Sequence, residues 1–326
     1  MSKSAIYVCQ TPLHVLEASI IANKNRKKYS HQSLVITDKK IPKGINQCLH
    51  FYSWDKVIIT IPFSSKIYKL FILLFASFRN KFSRINKSLD FYCGNLSSSY
   101  THLQLLNYKP GNIYTFDDGV FNLTLKKNKL VEIRDGKSVK YIKKIFKIDL
   151  GLKKLLNLVE AHYTIFKIDF NISLYKKIIY INEELKKLLS SRNIKKIDEV
   201  WVIVQPYYED GIMSLEQQLN IYKYIVKDQG NCDVKLKLHP RNERKFYEQF
   251  GVNILDSDLP LELLLMYFQP KKIVGIDSTG LITSKIINND IEVVSYLINN
   301  NNEKKEEFEK YNIKCIIINE ENMIPD

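Results

Sequence analysis

Short runs of β-branched and aromatic residues alternate with stretches of helical periodicity along most of the chain. In the first half, strand-like runs occupy residues 5–8, 33–36, 57–61, 90–93 and 112–116. Helical periodicity follows at residues 12–25, after Ser64 and through His102. Strands that alternate with helices in this way predict a parallel α/β sheet with helices on its faces.

The same alternation returns in the second half of the chain. Strand-like runs occupy residues 200–204, 234–238, 273–276, 291–296 and 314–318, and helical periodicity occupies residues 214–227, 260–267 and the stretch after Ser278. Residues 126–196 lie between the two series, are rich in lysine with amphipathic spacing, and predict a helical connection. We therefore expect two similar α/β domains with a cleft between them, residues 1–195 with the connector and residues 196–326.

The composition is that of a globular protein with a basic surface. The 326 residues are 45% hydrophobic, which excludes disorder for most of the chain and provides for two hydrophobic cores. There are 49 Lys and Arg against 35 Asp and Glu, a net charge of +14 that attracts anions. The lysines are not interleaved with stacking aromatics in a recognised module, so we do not expect nucleic acid as a partner.

Cysteine usage and the apolar segments bear on the cellular compartment. The five cysteines are scattered without a CxxC pair, so we expect reduced thiols, mostly buried, and no zinc site. The N-terminus enters a strand-like run without the parts of a signal peptide. The apolar stretch at residues 67–78 is shorter than the ~20 residues that span a bilayer. We expect a cytoplasmic protein.

Polar side chains follow five of the predicted strands. In open α/β sheets ligands bind outside the carboxyl ends of the strands, so these segments are where we look for chemistry. They are CQTP at residues 9–12, FDDG at 116–119, QPYYEDG at 205–211, KLHPR at 237–241 and GIDSTG at 275–280.

The adjacent carboxylates of FDDG have two interpretations. The side chains of Asp117 and Asp118 diverge, so we expect one to face a cleft, where it could act as a general base, while the other binds backbone or a helix end. A turn closed by Gly119 is the alternative, and local sequence alone favours it.

The second domain carries candidate phosphate ligands. His239 has Lys237 and Arg241 beside it, and in that electropositive site it could keep a useful pKa and donate to a phosphate, or it could cap a turn before Pro240. Ser278 and Thr279 open a predicted helix, which would suit a phosphate or be a plain N-cap.

The remaining carboxylate and the missing motifs complete this interpretation. Glu262 lies among leucines and either reaches a ligand hydroxyl or occupies an exposed edge. The sequence has no Walker loop, GxGxxG motif or carboxylate cluster suited to Mg²⁺. Together these features favour group transfer from a nucleotide-activated donor without a metal or other cofactor.

Five strings, in order along most of the chain, resemble the bacterial sialyltransferases of glycosyltransferase family 52, the lipooligosaccharide and capsule type. They are YTFDDGVFNL at residues 114–123, EAHYTIFK at 160–167, QP at 205–206, LKLHPR at 236–241 and IDSTG at 276–280. The resemblance implies a GT-B fold of two Rossmann-like domains facing a cleft, a CMP-sialic acid donor bound by the second domain, a galactoside acceptor and inversion at the sialyl carbon. It favours an α2,3 over an α2,6 linkage.

The same resemblance implies a role for each matching residue. Asp118, with Asp117 and Gly119 in its motif, would deprotonate the acceptor, and His239 would donate to the departing phosphate. Ser278 and Thr279 would hold that phosphate. The other implied contacts are Glu262 with the ribose, Lys237 and Pro240 with the cytosine, and Gln10 and Thr11 with the sialyl group.

Several alternatives remain open at this point. In one branch of the family the base follows a Pro like Pro206, which makes Asp210 the alternative to Asp118. The enzyme could instead be a polysialyltransferase or use another nucleotide sugar, and a non-catalytic binding protein is a further class. Family precedent favours a homodimer. Residues 140–154 could form a basic surface for peripheral membrane contact or only a solvated helix face.

Overall fold

The computed structural model describes residues 2–37, 44–60, 85–96, 98–118, 152–167, 175–255, 259–299 and 301–318. The chain forms two compact units. Unit 1 is Met1–Leu185 and unit 2 is Lys186–Asp326. The division falls at Leu185, whereas the sequence analysis places it after residue 195.

Unit 1 contains a seven-stranded parallel sheet with the strand order β3-β2-β1-β4-β5-β6-β7. Its strands are β1 (Ser4–Cys9), β2 (His31–Thr37), β3 (Lys56–Thr60), β4 (Asn86–Cys93), β5 (Pro110–Thr115), β6 (Val159–Thr164) and β7 (Ile178–Tyr180). Its helices are α1 (Pro12–Lys24), α2 (Ile45–Cys48), α3 (Ser99–Tyr108), α4 (Leu152–Leu158) and α5 (Asn182–Ser190), the last of which continues into unit 2.

Unit 2 contains a six-stranded parallel sheet with the order β10-β9-β8-β11-β12-β13. Its strands are β8 (Lys195–Ile203), β9 (Val234–Lys237), β10 (Asn253–Ile254), β11 (Phe268–Ile276), β12 (Glu292–Ile298) and β13 (Lys314–Ile318). Its helices are α6 (Leu215–Asp228), α7 (Leu261–Leu264), α8 (Thr279–Ile287) and α9 (Asn302–Glu309).

Both sheets have the strand order of a Rossmann fold, in which the chain begins in the middle and reverses direction once. The reversal lies between β1 and β4 in unit 1 and between β8 and β11 in unit 2. In unit 2 the two central strands pack closely, because a Cβ added at Gly275 would lie 3.0 Å from the Ile203 carbonyl oxygen. The prediction of two Rossmann-like domains is confirmed.

The central strands are apolar on both faces, as parallel strands covered by helices must be. In β1, every residue from Ala5 to Cys9 is buried. One face of the sheet in unit 1 packs aliphatic and phenylalanine side chains. The other carries Tyr7, Tyr92 and Tyr114, whose rings stack across β1, β4 and β5 with centroids 4.6 and 4.7 Å apart.

The prediction that residues 126–196 are a helical connection is wrong for the part that the structure describes. β6 and β7 extend the sheet of unit 1, and only α4 and α5 are helical there. The buried residues of β6 include His162 and Thr164, so burial in this strand is not marked by a run of apolar residues. The expected long helix after Ser64 lies outside the described residues, as do residues 126–151 of the connector.

Smaller differences concern the ends of elements. The expected helix over 260–267 is the short α7, followed by a turn into β11, which begins five residues before the predicted strand at Ile273. The two-residue β10 was not expected. The cysteines are free thiols, with Cys9, Cys48 and Cys93 buried. Among the described helices, none combines the length and the apolar composition needed to cross a bilayer.

Asp90 is the centre of a buried polar network at the amino end of the strands in unit 1. Its carboxylate accepts hydrogen bonds from the Tyr29 hydroxyl at 2.6 Å and the Asn112 amide at 2.7 Å. The ammonium groups of Lys3 and Lys28 lie 3.0 and 3.1 Å away. Burial alone would raise the pKa of Asp90, but these donors outweigh it and hold the pKa below its usual value.

We expect Asp90→Asn to lower the free energy of unfolding by about 2–3 kcal/mol at neutral pH, because it leaves the two lysines without their buried counter-charge. A carboxyl group with a depressed folded pKa stabilises the protein fully above its unfolded pKa of about 4, and this contribution is lost as the pH falls through the folded pKa. Urea unfolding at pH 7 and pH 3 should therefore show the variant and the wild type converging in acid.

Asp198→Asn is the matched control, because its carboxylate is 85% exposed and pairs with a surface lysine. It should leave the urea midpoint almost unchanged. Equal midpoints for Asp90→Asn and the wild type at pH 7 would contradict the stabilising role of the network.

Candidate functional site

In unit 1 the loop after β1 leads directly into α1, beside the reversal of strand order. Thr11 is the N-cap of α1 and accepts a hydrogen bond from the His14 amide at 3.2 Å. Gln10 donates its side-chain amide to the Ser98 hydroxyl at 2.5 Å. Both predicted residues thus lie at the carboxyl edge of the sheet, where ligands of Rossmann-like folds bind.

Asp117 is buried and holds the end of β5 to its neighbours. Its carboxylate accepts from the Ile165 amide at 2.8 Å and lies 3.1 Å from His162 Nε2. Its own amide donates to the Glu17 carboxylate at 3.0 Å. Because the side chain is fully buried and both oxygens have protein partners, the geometry gives Asp117 a structural role in unit 1.

Asp118 points away from Asp117, as expected of adjacent residues at a strand end. One of its oxygens lies 2.9 Å from His14 Nε2, and its side chain is 20% exposed. His14 therefore holds one oxygen of Asp118, while the side chain stays partly exposed to solvent. Gly119, the third residue of the motif, lies outside the described residues.

In unit 2 the two sides of the reversal are joined by a hydrogen bond. The Gln205 side-chain amide, just after β8, donates to the Ser278 hydroxyl, just after β11, at 2.8 Å. Ser278 is buried and caps α8, accepting from the Gly280 amide at 3.1 Å, and Thr279 is half-buried at the first position of the helix. The preceding residue, Asp277, has a left-handed backbone with φ 43° and forms an ion pair with Lys304.

His239 is half-buried in the loop after β9. Its amide donates to the Asn242 side-chain oxygen at 2.8 Å, and its Nδ1 accepts from the Arg241 amide at 3.2 Å. Burial, together with the charges of Arg241 and Lys237, lowers the pKa of His239 to about 4, although Asp210 and Glu209 act in the opposite direction. The expectation that His239 keeps a pKa near neutrality is therefore wrong.

The geometry around His239 fixes its tautomer. Because Nδ1 accepts a backbone hydrogen bond, the proton of the neutral ring is on Nε2. The ring therefore presents a neutral N–H donor at pH 7.

Two side-chain pairs hold the loop after β8 against the loop after β9. Asp210, the alternative base, forms an ion pair with Arg241. Glu209 accepts from the Asn242 side-chain amide at 3.0 Å, and Asn242 in turn accepts from the His239 backbone. Through these contacts Asp210 and Glu209 support the loop that carries His239.

Glu262, Lys237 and Pro240 differ in exposure. Glu262 is half-buried on α7, and burial raises its pKa although Lys237 partly opposes this. Lys237 is buried with its ammonium 3.4 Å from the Leu238 carbonyl oxygen, and Pro240 is exposed.

Within the described ranges, no three His, Cys, Asp or Glu side chains come together as a metal site requires.

The sequence assigned no role to several residues that support the candidate site. His14 and Asn242 each contact a predicted catalytic residue, Glu209 contacts Asn242, and Gln205 contacts Ser278. A signal was available for His14, which comes three residues after the cap Thr11 and so lies in the first turn of α1 at the sheet edge. The pairing of Asn242 with His239 depends on how two loops meet, which no local pattern indicates.

Comparison with solved structures shows the fold. UDP-GlcNAc 2-epimerase from Methanocaldococcus jannaschii is 14% identical with a TM-score of 0.54, covering 98% of this chain and 90% of that one. A putative UDP-N-acetylglucosamine 2-epimerase from Listeria monocytogenes is 13% identical with a TM-score of 0.52, covering 99% and 86%. A comparison with curated proteins finds no match.

A comparison with protein-family models gives the family of the chain. The family model for alpha-2,8-polysialyltransferase (POLYST) matches residues 5–297. The broader part of the resemblance, to a sialyltransferase family, is thereby confirmed, while the match does not support the assignment to glycosyltransferase family 52. Because the match spans most of the chain, the chain belongs to the alpha-2,8-polysialyltransferase family.

Proposed function

We propose that the protein transfers sialic acid from CMP-sialic acid to a glycan, with inversion at the sialyl carbon. The observation that carries the proposal is the state of two motif residues at the carboxyl edges of the sheets. Asp118 is a partly exposed carboxylate held by a histidine, and His239 is a neutral ring with its proton on Nε2. A carboxylate and a neutral imidazole are, respectively, a base and a hydrogen-bond donor.

The proposed step balances as a displacement. The acceptor hydroxyl oxygen forms a bond to the anomeric carbon of the sialyl group while its proton passes to Asp118. The bond from that carbon to the CMP phosphate oxygen breaks, and its electron pair stays on the phosphate. His239 keeps its Nε2 proton and donates a hydrogen bond from it to that oxygen, which offsets the developing charge. The step uses no metal.

Asp118 suits the base better than Asp210 does. Both carboxylates are partly exposed, Asp118 by 20% and Asp210 by 32%, so exposure does not separate them. The described partner of Asp118 is His14, whereas Asp210 forms an ion pair with Arg241, two residues after His239. We therefore assign Asp210 to the support of the loop that carries His239, and the role of base to Asp118.

The edge of unit 2 suits the nucleotide. The amino end of α8 lies at Ser278, and the hydroxyls of Ser278 and Thr279 with the helix amides favour a phosphate there. We assign the ribose hydroxyls to Glu262 and the cytosine to Lys237 and Pro240. In unit 1 we assign the sialyl group to Gln10 and Thr11.

The identity of the acceptor has two candidates. The matched family is described as alpha-2,8-polysialyltransferase, which favours a glycan that ends in sialic acid. The motif strings favour a terminal galactoside of a capsular polysaccharide or lipooligosaccharide, sialylated in α2,3 linkage. We propose the sialic acid terminus first and the galactoside second. The homodimer, the cytoplasmic location and the membrane contact through residues 140–154 stay predictions.

We expect the purified protein to release CMP from CMP-sialic acid and to extend a labelled sialyl-lactoside, with EDTA present. UDP-sugars should not serve as donors, because the proposed pocket recognises cytosine. Product analysis by chromatography and mass spectrometry, with a labelled lactoside in parallel, separates the two acceptors. Transfer from a UDP-sugar, or no transfer and no CMP release from CMP-sialic acid with either acceptor, would contradict the proposal.

Substitution of the proposed base, or of the proposed hydrogen-bond donor to the leaving group, should lower kcat by ~10²–10⁴-fold, the usual contribution of such a group. We expect Asp118→Asn to lose turnover while CMP binding, measured by calorimetry, stays near the wild-type value. His239→Ala should lose turnover and also bind CMP more weakly, because it removes a donor to the phosphate.

Asp210→Asn is the matched control for Asp118→Asn, since it neutralises the competing carboxylate. Its effect should be smaller, because it loosens the histidine loop without removing the base. If Asp210→Asn is inactive and Asp118→Asn keeps near-full activity, the role of base belongs to Asp210.

A further inference from the structure

We infer that His14 is a positioning residue for Asp118, holding one carboxylate oxygen so that the other is presented to the acceptor. The catalytic consequence rests on the proposed function, but the hydrogen-bonded pair itself does not. His14 lies 104 positions before Asp118 in the chain and belongs to no motif that the sequence analysis assigned to catalysis. It is 1% exposed, so it acts on a substrate only through Asp118.

Backbone geometry selects one tautomer of the His14 ring. The Gln10 amide donates to Nδ1 at 3.2 Å, so Nδ1 carries no proton in this arrangement. The proton is therefore on Nε2, which lies 2.9 Å from the Asp118 oxygen and donates to it. The Gln10 amide thus orients His14, and His14 in turn orients Asp118. Catalytic bases are commonly oriented by a third group in this way.

The position of the ring is fixed by packing as well as by hydrogen bonds. A Cβ added at Gly94, just after β4, would lie 2.6 Å from His14 Nε2, so only glycine leaves room for the ring there. The edge of Phe116, which is fully buried, contacts the ring with centroids 5.7 Å apart. The ring is thereby confined by residues that follow β4 and β5 and by the first turn of α1.

Other titratable groups lie near Asp118 besides His14. Cys93, at the end of β4, is buried, and its pKa is raised first by burial and then by the charge of Asp118. Tyr175 is also buried, and its pKa is raised by burial first, with smaller contributions from Asp117, Cys93 and Asp118. These neighbours are uncharged near neutral pH, so among the groups named here only His14 donates to the ionised carboxylate in the described contacts.

His14→Leu and His14→Gln separate positioning from simple packing. Leucine fills part of the space but cannot donate, whereas glutamine keeps a donor at the position of Nε2. We expect His14→Leu to lower kcat by ~10–100-fold with little change in KM for CMP-sialic acid, and His14→Gln to recover much of the loss.

Gly94→Ala tests the same contact while keeping His14. The added Cβ displaces the ring, so we expect the kinetic behaviour of His14→Leu, a lower kcat with little change in KM. Gly111→Ala is the matched control, because its Cβ would lie 2.9 Å from the Lys87 Cα, between β4 and β5 at their amino ends. It should lower the melting temperature without lowering kcat. A kcat unchanged in His14→Leu and in Gly94→Ala, with both proteins folded, would overturn the positioning role.

The tautomer is measured without any turnover. In two-bond ¹H–¹⁵N spectra of histidine-labelled protein, the His14 signals, assigned by their loss in His14→Gln, should show the neutral Nε2–H form, and Asp118→Ala should shift the Nε2 proton. A proton on Nδ1, or no response to Asp118→Ala, would overturn the inference even in an active enzyme. A wild type without CMP release but with the Nε2–H form and the shift would overturn the proposed function and leave the pair established.

Discussion

The reversal of strand order in each parallel sheet is the constraint on which the candidate site depends. Where neighbouring central strands lead to helices on opposite faces, their following loops separate and leave a crevice at the carboxyl edge. In unit 1 this edge carries Gln10, Thr11 and the glycine that makes room for His14. In unit 2 it carries Gln205 and Ser278, joined by a hydrogen bond across the reversal. Residues from remote parts of the chain meet there because the topology brings strand ends together.

Charge and hydration then give the two proposed groups opposite characters. Asp118 is partly exposed and accepts a hydrogen bond from His14. His239 is half-buried beside Arg241 and Lys237, which favours the neutral ring. A base and a hydrogen-bond donor at neutral pH therefore follow from local environment. The loop after β8 supports His239 through the ion pair of Asp210 with Arg241 and the hydrogen bond that Glu209 accepts from Asn242.

Much of the fold and of the candidate site could be predicted from the sequence. Strands and helices have different hydrophobic periods, and polar residues after a strand mark the carboxyl edge of the sheet. The alternation of elements predicts both sheets, and the strings at Asp118, His239 and Ser278 locate their carboxyl edges. β6 was missed because two of its buried positions, His162 and Thr164, are polar. The partners of His162 are Thr115 and Asp117, which lie more than 40 positions away in the chain. Thr164 accepts a hydrogen bond from the nearby Phe166 amide. The pairs His14 with Asp118 and Asn242 with His239 depend on tertiary packing, and so does the low pKa of His239, which burial sets.

The central claim is that His239 is a neutral donor at a phosphate site, and histidine titration by NMR with and without CMP tests it most directly. In the free protein the ring should titrate near pH 4, with the proton on Nε2 above that pH. Saturation with CMP should raise its pKa, because the phosphate charge favours the protonated ring. Titration near the ordinary value of 6.5 in the free protein, or a midpoint that CMP leaves unmoved, would contradict the account.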